Sequence, residues 1–325
     1  LQAELGNIMA AMESSYGKGT YCPRDEQVCL SLPQMERRFA DVRDTDQLID
    51  LWTGWREIAP PMRDRYARFV ELANMGASDL GFADLGELWR AGYDMPPNEF
   101  SEELDQVWNQ VKPLYESLHC HVRAELSEEF GSAVVPLEEP IPAHLLGNMW
   151  GQNWVNLAEL VAPVQSDGSY DLTGLLRASQ VDEVEMVRFG ERFFSSIGFA
   201  SLPTTFWDRS LFVQPDDRDV VCHASAWNVD YGADVRIKMC LGVTGEDFIT
   251  IHHELGHSYY QLAYRHQSPF HRTGANDGFH EGIGDTIALS ITPEYLVEVG
   301  LLDRVPSTDQ DLDLLLRLAL EKVAF

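Results

Sequence analysis

Between Glu246 and Ala263 the chain reads EDFITIHHELGHSYYQLA, which places three histidines and a glutamate within six residues of an otherwise apolar stretch. His253-Glu254-Leu255-Gly256-His257 is an H-E-x-x-H pattern. Residues four apart on an α-helix share a face, one turn apart, so these two imidazoles can chelate one metal ion. Glu254 projects beside that ion, where it can take a proton from water. Such a site needs a third protein ligand. Downstream, GFHEGIGDTIALS places Glu281 twenty-four residues after His257, on a second helix that should end before Pro293, with Asp285 four residues further on the same face. A carboxylate at 285 suits the outer partner that holds a zinc-bound imidazole by its other nitrogen. Gly278, Gly282 and Gly284 weaken this helix intrinsically, and their expected use is a close approach of the two metal-bearing helices.

The alternative is a metal-free cluster of hydrogen-bonded His and Glu. Carboxylates are rarely buried unless paired or on a metal, so zinc is the expectation. His252 reads as a hydrogen-bonded core histidine, His266 and His271 as solvated loop residues. His280 adjoins a ligand but should point elsewhere by helix geometry, in a packing role.

The elements that must position these residues read mostly as helix. The helix of the metal motif starts at Thr244-Gly-Glu-Asp247, which looks like a capping box. Leu1, Leu5, Ile8, Met9 and Met12 recur at helical spacing, and Leu104, Val107, Val111, Leu114 and Leu118 line one face of a long helix that Pro113 could kink. Val184, Met186, Val187, Phe193 and Phe194 mark another. Pro60 and Pro61 divide helices over 46–58 and 62–75, with Gly76 placed to end the second. VPLEEPIP (135–142) and QSDGSYD (165–171) are loops too short to link domains, and no internal repeat is present. VVCHASAW (220–227) and DVRIKMC (234–240), joined by NVDYGA, alternate and predict a β-hairpin. Both ends look unfinished. The first helix lacks an N-cap, and the last, from Ser307, reaches Phe325 without a terminator, so residues 1–325 read as one domain, an interior piece cut at both ends.

Composition bounds the rest. The 325 residues are 45% hydrophobic, ample for a large core. The formal charge of −28 argues against nucleic acid and anionic membrane surfaces as partners, and would suit a saline habitat. No run of 18 apolar residues occurs. Cys22/Cys29 and Cys222/Cys240 could each close a short loop, leaving Cys120 over; five reduced thiols are the other reading. No N-x-[ST] sequon occurs, which leans toward a bacterial exported protein.

HHELGHSYYQLAY, GANDGFHEGIGDTIALS, VVCHASAW and HLLGNMWGQNW (144–154) together resemble the angiotensin-converting enzyme family, the M2 peptidases, and the resemblance runs along essentially the whole chain. It implies a mainly α zincin-type fold with zinc at the floor of a deep cleft and a small β-hairpin beside the site. It implies zinc ligands His253, His257 and Glu281, general base Glu254, and Asp285 orienting His253. The hairpin strand would flank an extended peptide, with backbone bonds from Ala224 and Ala226 and a side-chain bond from His223. Cys22–Cys29 and Cys222–Cys240 resemble family disulfides, the first with one residue more between its cysteines than the pattern. Arg56 in LWTGWRE resembles an arginine that helps bind chloride.

Gln152 in MWxQxW is similar to the family's dipeptidase branch, where Gln helps hold the substrate carboxylate two residues past the scissile bond. The resemblance therefore implies release of C-terminal dipeptides from oligopeptides with a free C-terminus, by an exported protein, extracellular or periplasmic, whose full-length form could be membrane-associated. It also implies that a Lys and Tyr for the carboxylate, and a His and Tyr for the tetrahedral intermediate, fall beyond Phe325, so that the 325-residue piece alone should be nearly inactive. The competing expectations are a related zinc oligopeptidase or carboxypeptidase, and a non-catalytic binding or receptor-like protein on the same scaffold.

Overall fold

A computed structural model of the chain describes residues 1–24, 28–162, 170–306 and 311–325, with the side chains of 311 and 313 excepted. The 165–171 loop and the Ser307 start of the last helix fall largely outside those residues. The chain divides into two compact units, Leu1–Ser169 with Thr308–Phe325, and Tyr170–Ser307.

The first unit is helical: α1 Gln2–Gly17, α2 Leu32–Asp41, α3 Thr45–Arg56, α4 Arg63–Asp79, α5 Leu85–Arg90, α6 Pro97–Phe130, the short α7 Ala158–Val161, and, from the C-terminal segment, α14 Asp311–Leu318 running into a π-helical turn, Ala319–Val323. A two-stranded antiparallel ribbon, β1 Thr20–Tyr21 with β2 Leu30–Ser31, carries the Cys22–Cys29 disulfide between its strands. Its core gathers Met35, Phe39, Leu51, Trp55, Val122, Leu126, Met149 and Trp154.

Pro113 lies inside α6, which continues as one helix of 34 residues. Of the predicted α6 stripe, Leu118 is buried with Val122 and Leu126, whereas Leu104, Val107, Val111 and Leu114 are exposed. Periodicity marks an apolar face but not what covers it. Gly76 does not end α4, which runs on to Asp79; Gly81, at φ +92°, follows in the left-handed region that a side chain resists. The helix-ending conformation needs a residue free of Cβ at the turn itself, and Gly76 sits a turn too early.

The second unit contains α8 Leu172–Ala178, α9 Glu183–Ser196, α10 Thr204–Arg209, β3 Ser225–Asn228, β4 Val235–Lys238, α11 Gly245–Tyr264, α12 Asp277–Ala288 and α13 Pro293–Glu298. The predicted hairpin forms, with Ala226 opposite Ile237, but its strands are shorter than the alternating runs. Cys222–Cys240 closes its base, and the hairpin packs against α11. Cys120 is free and exposed. The core joins Met186, Phe194, Phe206, Ile237, Phe248, Ile251, Leu255 and Leu296. At the centre, α11 is buried on most sides. No helix among the described residues is long and apolar enough to cross a membrane.

Candidate metal centre

Two helix starts set the frame. Thr244 Oγ1 accepts from the Asp247 N–H at 3.1 Å and begins α11, while Asp247 Oδ2 accepts from the Gly242 N–H at 2.8 Å. Asn276 Oδ1 accepts from the Phe279 N–H at 2.8 Å and begins α12. Each cap satisfies a donor that the first helical turn leaves unpaired.

The two helices then meet at their glycines. A Cβ on Gly256 would lie 2.9 Å from Gly284 Cα, and a Cβ on Gly284 would lie 2.8 Å from the His253 ring. Of the three glycines read from α12, Gly284 makes the close approach, and Gly282 has open space around it. On the other side of α11, a Cβ on Gly190 of α9 would collide with Leu255.

This contact brings His253, His257 and Glu281 together. His253 Nε2 lies 3.0 Å from His257 Nε2 and 3.2 Å from Glu281 Oε2; His257 Nε2 lies 3.6 Å from Glu281 Oε1. Three donors about 2.0–2.1 Å from one tetrahedral ion stand roughly 3.3 Å apart; here one donor atom from each residue lies within 4.8 Å of the others, and the N, N, O donor set suits zinc. These three residues could hold a metal ion.

The outer nitrogens are engaged too. His253 Nδ1 faces Asp285 Oδ1 at 3.3 Å, as the i, i+4 spacing of Glu281 and Asp285 predicts. His257 Nδ1 faces His280 Nδ1 at 2.8 Å. This corrects the sequence reading of His280. Helix α12 meets α11 along its 280/284 line, because Gly284 lets α11 sink in there, and the 281/285 line lies to one side. The i, i+4 relation of His280 to the contact glycine was the available signal.

Burial shapes the electrostatics. Desolvation pushes the Glu254 carboxyl up to about 7, and the neighbouring Glu281 carboxylate adds to the rise. Glu254 Oε2 is buried with no hydrogen-bond partner among the described residues. Burial, then the adjacent His253, holds His257 below the usual imidazole range, in its neutral, metal-binding form. Burial also lowers His280. His252 is fully buried, bonded to Phe248 O at 2.7 Å and Tyr295 Oη at 3.1 Å, and desolvation takes it down to about 4. It is the core histidine that the sequence suggests.

The hairpin lies beside this site through α11. Ile237 of β4 donates its N–H to Ser210 Oγ at 3.1 Å, and its C=O accepts from the Leu211 N–H at 2.9 Å. Both bonds point away from β3. Ala226 therefore faces Ile237 in a non-hydrogen-bonded pair, and its own N–H and C=O lie on the outer edge of β3. No strand pairs with that edge among the described residues. Ala224 precedes β3 by one residue and is half-buried; His223 is exposed.

Two further residues lie in the first unit. Gln152 is exposed, just after Gly151 (φ +67°). Arg56 stacks its guanidinium over the Trp52 ring, 3.1 Å from the centroid, and donates to Trp52 O at 3.0 Å and Met149 O at 2.7 Å. No carboxylate pairs with it among the described residues, and desolvation lowers its pKa.

Comparison with known proteins gives a consistent picture. The Peptidase_M2 family model, described as angiotensin-converting enzyme, matches residues 2–325. Angiotensin-converting enzyme of Bos taurus is 41% identical over 325 residues, covering 98% of this chain and 25% of that protein. The protein of the same name from Haematobia irritans exigua is 40% identical over 330 residues, covering 99% of this chain and 54% of its own. For Theromyzon tessulatum the figures are 40% over 296 residues, 90% and 48%. The chain thus spans between a quarter and about half the length of these relatives.

Proposed function

The chain belongs to the angiotensin-converting enzyme family of M2 peptidases, and from that premise we propose that it carries the zinc site of a peptidyl-dipeptidase, which releases dipeptides from the free C-terminus of oligopeptides. The observation that carries the reading is the triangle of His253, His257 and Glu281 beside buried Glu254, whose Oε2 has no hydrogen-bond partner among the described residues.

Zinc bound there supplies Lewis acidity, which polarises a scissile carbonyl and brings the pKa of water toward neutrality. His253, His257 and Glu281 hold the ion, and Asp285 fixes the His253 ring by its Nδ1. Glu254 takes a proton from the attacking water and returns it to the leaving amine. An extended peptide adds to the outer edge of β3, with Ala226 offering both backbone groups; Ala224, two residues back, continues that edge. His223 supplies a side-chain bond, and Gln152 helps to hold the substrate's C-terminal carboxylate. A half-buried Arg56 with no carboxylate partner among the described residues supports a chloride ion there, since a buried cation is costly until an anion neutralises it. Two disulfides and the relatives support an exported protein, extracellular or periplasmic.

The test is Glu254→Gln in the full-length protein. Zinc content should stay at the wild-type level while turnover of a free-carboxylate peptide falls roughly 10²–10⁴-fold. A variant of full activity would refute the assignment of the base. The same peptide with an amidated C-terminus should be a poor substrate; equal cleavage would indicate an oligopeptidase. A zinc-loaded protein that cleaves neither peptide would indicate a binding protein on this scaffold.

A further inference from the structure

We infer that His280 is a positioning residue for the metal site, holding the His257 imidazole so that its Nε2 lone pair faces the ion; the inference rests on the zinc reading of the triad. The two Nδ1 atoms lie 2.8 Å apart. A hydrogen bond between two imidazole nitrogens needs one N–H and one lone pair. When His257 gives its Nε2 lone pair to a metal, the neutral ring carries its proton on Nδ1. His257 therefore donates and His280 Nδ1 accepts, leaving the His280 proton on Nε2. The bond selects the one neutral tautomer of His257 that can ligate through Nε2.

His280 is itself fixed by its surroundings. A Cβ on Gly274 would lie 2.7 Å from His280 Cδ2. The ring of Tyr260, on α11, packs against that of His280 with centroids 4.8 Å apart. Tyr260 Oη accepts from the Ala275 N–H at 3.1 Å, which ties α11 to the segment that enters α12. The His280 ring thus packs against both that segment and Tyr260, with its accepting nitrogen 2.8 Å from His257 Nδ1. The two zinc imidazoles then differ in their outer partners: His253 has an anion in Asp285 at 3.3 Å, and His257 a neutral ring. Both partners come from α12, so one helix contributes a ligand and the orientation of both others.

The experiment compares His280→Phe with His280→Asn in the full-length protein. Zinc affinity is read by competition with a chelator, and site geometry by the absorption of the cobalt-substituted protein. Phe keeps an aromatic ring but accepts no hydrogen bond; Asn places its Oδ1 near the position of Nδ1. If His280 positions His257, His280→Phe weakens zinc binding roughly 10–100-fold and alters the cobalt spectrum, and His280→Asn restores most of both. His280→Leu serves in place of His280→Phe if that variant does not fold, with the same expectation. If His280 merely fills space, the order reverses, with Phe resembling the wild type and Asn the worse; that result overturns the inference. Failure of the wild-type protein to bind zinc overturns the triad reading, and this inference with it.

Discussion

Gly284→Ala should weaken zinc binding although the substitution favours the helix. The added methyl would lie 2.8 Å from His253 Cε1 and Nδ1 and 3.0 Å from Cγ. Unstrained non-bonded contacts lie at about 3.5–4.0 Å, so the ring or the helix must yield by roughly 0.7–1.2 Å. Metal sites tolerate about 0.2 Å in their ligand distances. The ring cannot turn without leaving Asp285, 3.3 Å from its Nδ1, and the helix cannot retreat without carrying Glu281 away. Alanine gains about 0.8–1.0 kcal/mol over glycine in helix propensity, and overpacking costs about 1–3 kcal/mol. The metal-free protein should therefore lose about 0–2 kcal/mol and remain folded, while zinc affinity falls roughly 10–100-fold, the loss that disturbed outer partners cause. Gly282→Ala is the control on the same helix, since nothing lies within 4 Å of a Cβ there. It should gain about 0.5–1 kcal/mol and leave zinc affinity unchanged. Chelator competition on both full-length variants, with circular dichroism to confirm folding, decides the matter. Equal zinc affinity in Gly284→Ala and Gly282→Ala would refute the reasoning.

Further outcomes follow from the disulfides and from Asp234. Replacing Cys222 and Cys240 together by Ser opens a loop of 18 residues and should cost about 3 kcal/mol in denaturant unfolding, whereas Cys22 and Cys29 close only 7 and should cost about 2 kcal/mol; a reversed order would contradict the loop-entropy account. Asp234 is bonded first by Arg236 and also by Arg209, which hold its carboxyl down to about 2 from 3.8. A depressed carboxylate pKa contributes stability that is present above the unfolded value and lost as pH falls from about 4 toward 2. Asp234→Asn should therefore be less stable than the parent at pH 7 and converge with it near pH 2, as followed by denaturant midpoints; curves that stay parallel would count against the pair.

Much of this molecule was legible residue by residue, and the legible part is local. The i, i+4 spacing of His253 and His257, and of Glu281 and Asp285, needs only the helical repeat to put each pair on one face. Thr244 announces a helix start through a bond that spans three residues, and the cysteine pairs close short loops. Tertiary structure decided which faces meet. His280 turned from a packing residue into the partner of His257 because Gly256 and Gly284 let α11 and α12 cross along the 280/284 line. The free edge at Ala226 follows from Ser210 and Leu211 occupying the far side of β4. Leu104, Val107, Val111 and Leu114 share a helical stripe with Leu118, yet only Leu118 is buried. Helical periodicity is a property of neighbours in the chain and can be read from it directly. Crossings, strand edges and burial depend on residues tens of positions apart, whose meeting is set by packing rather than by any local repeat.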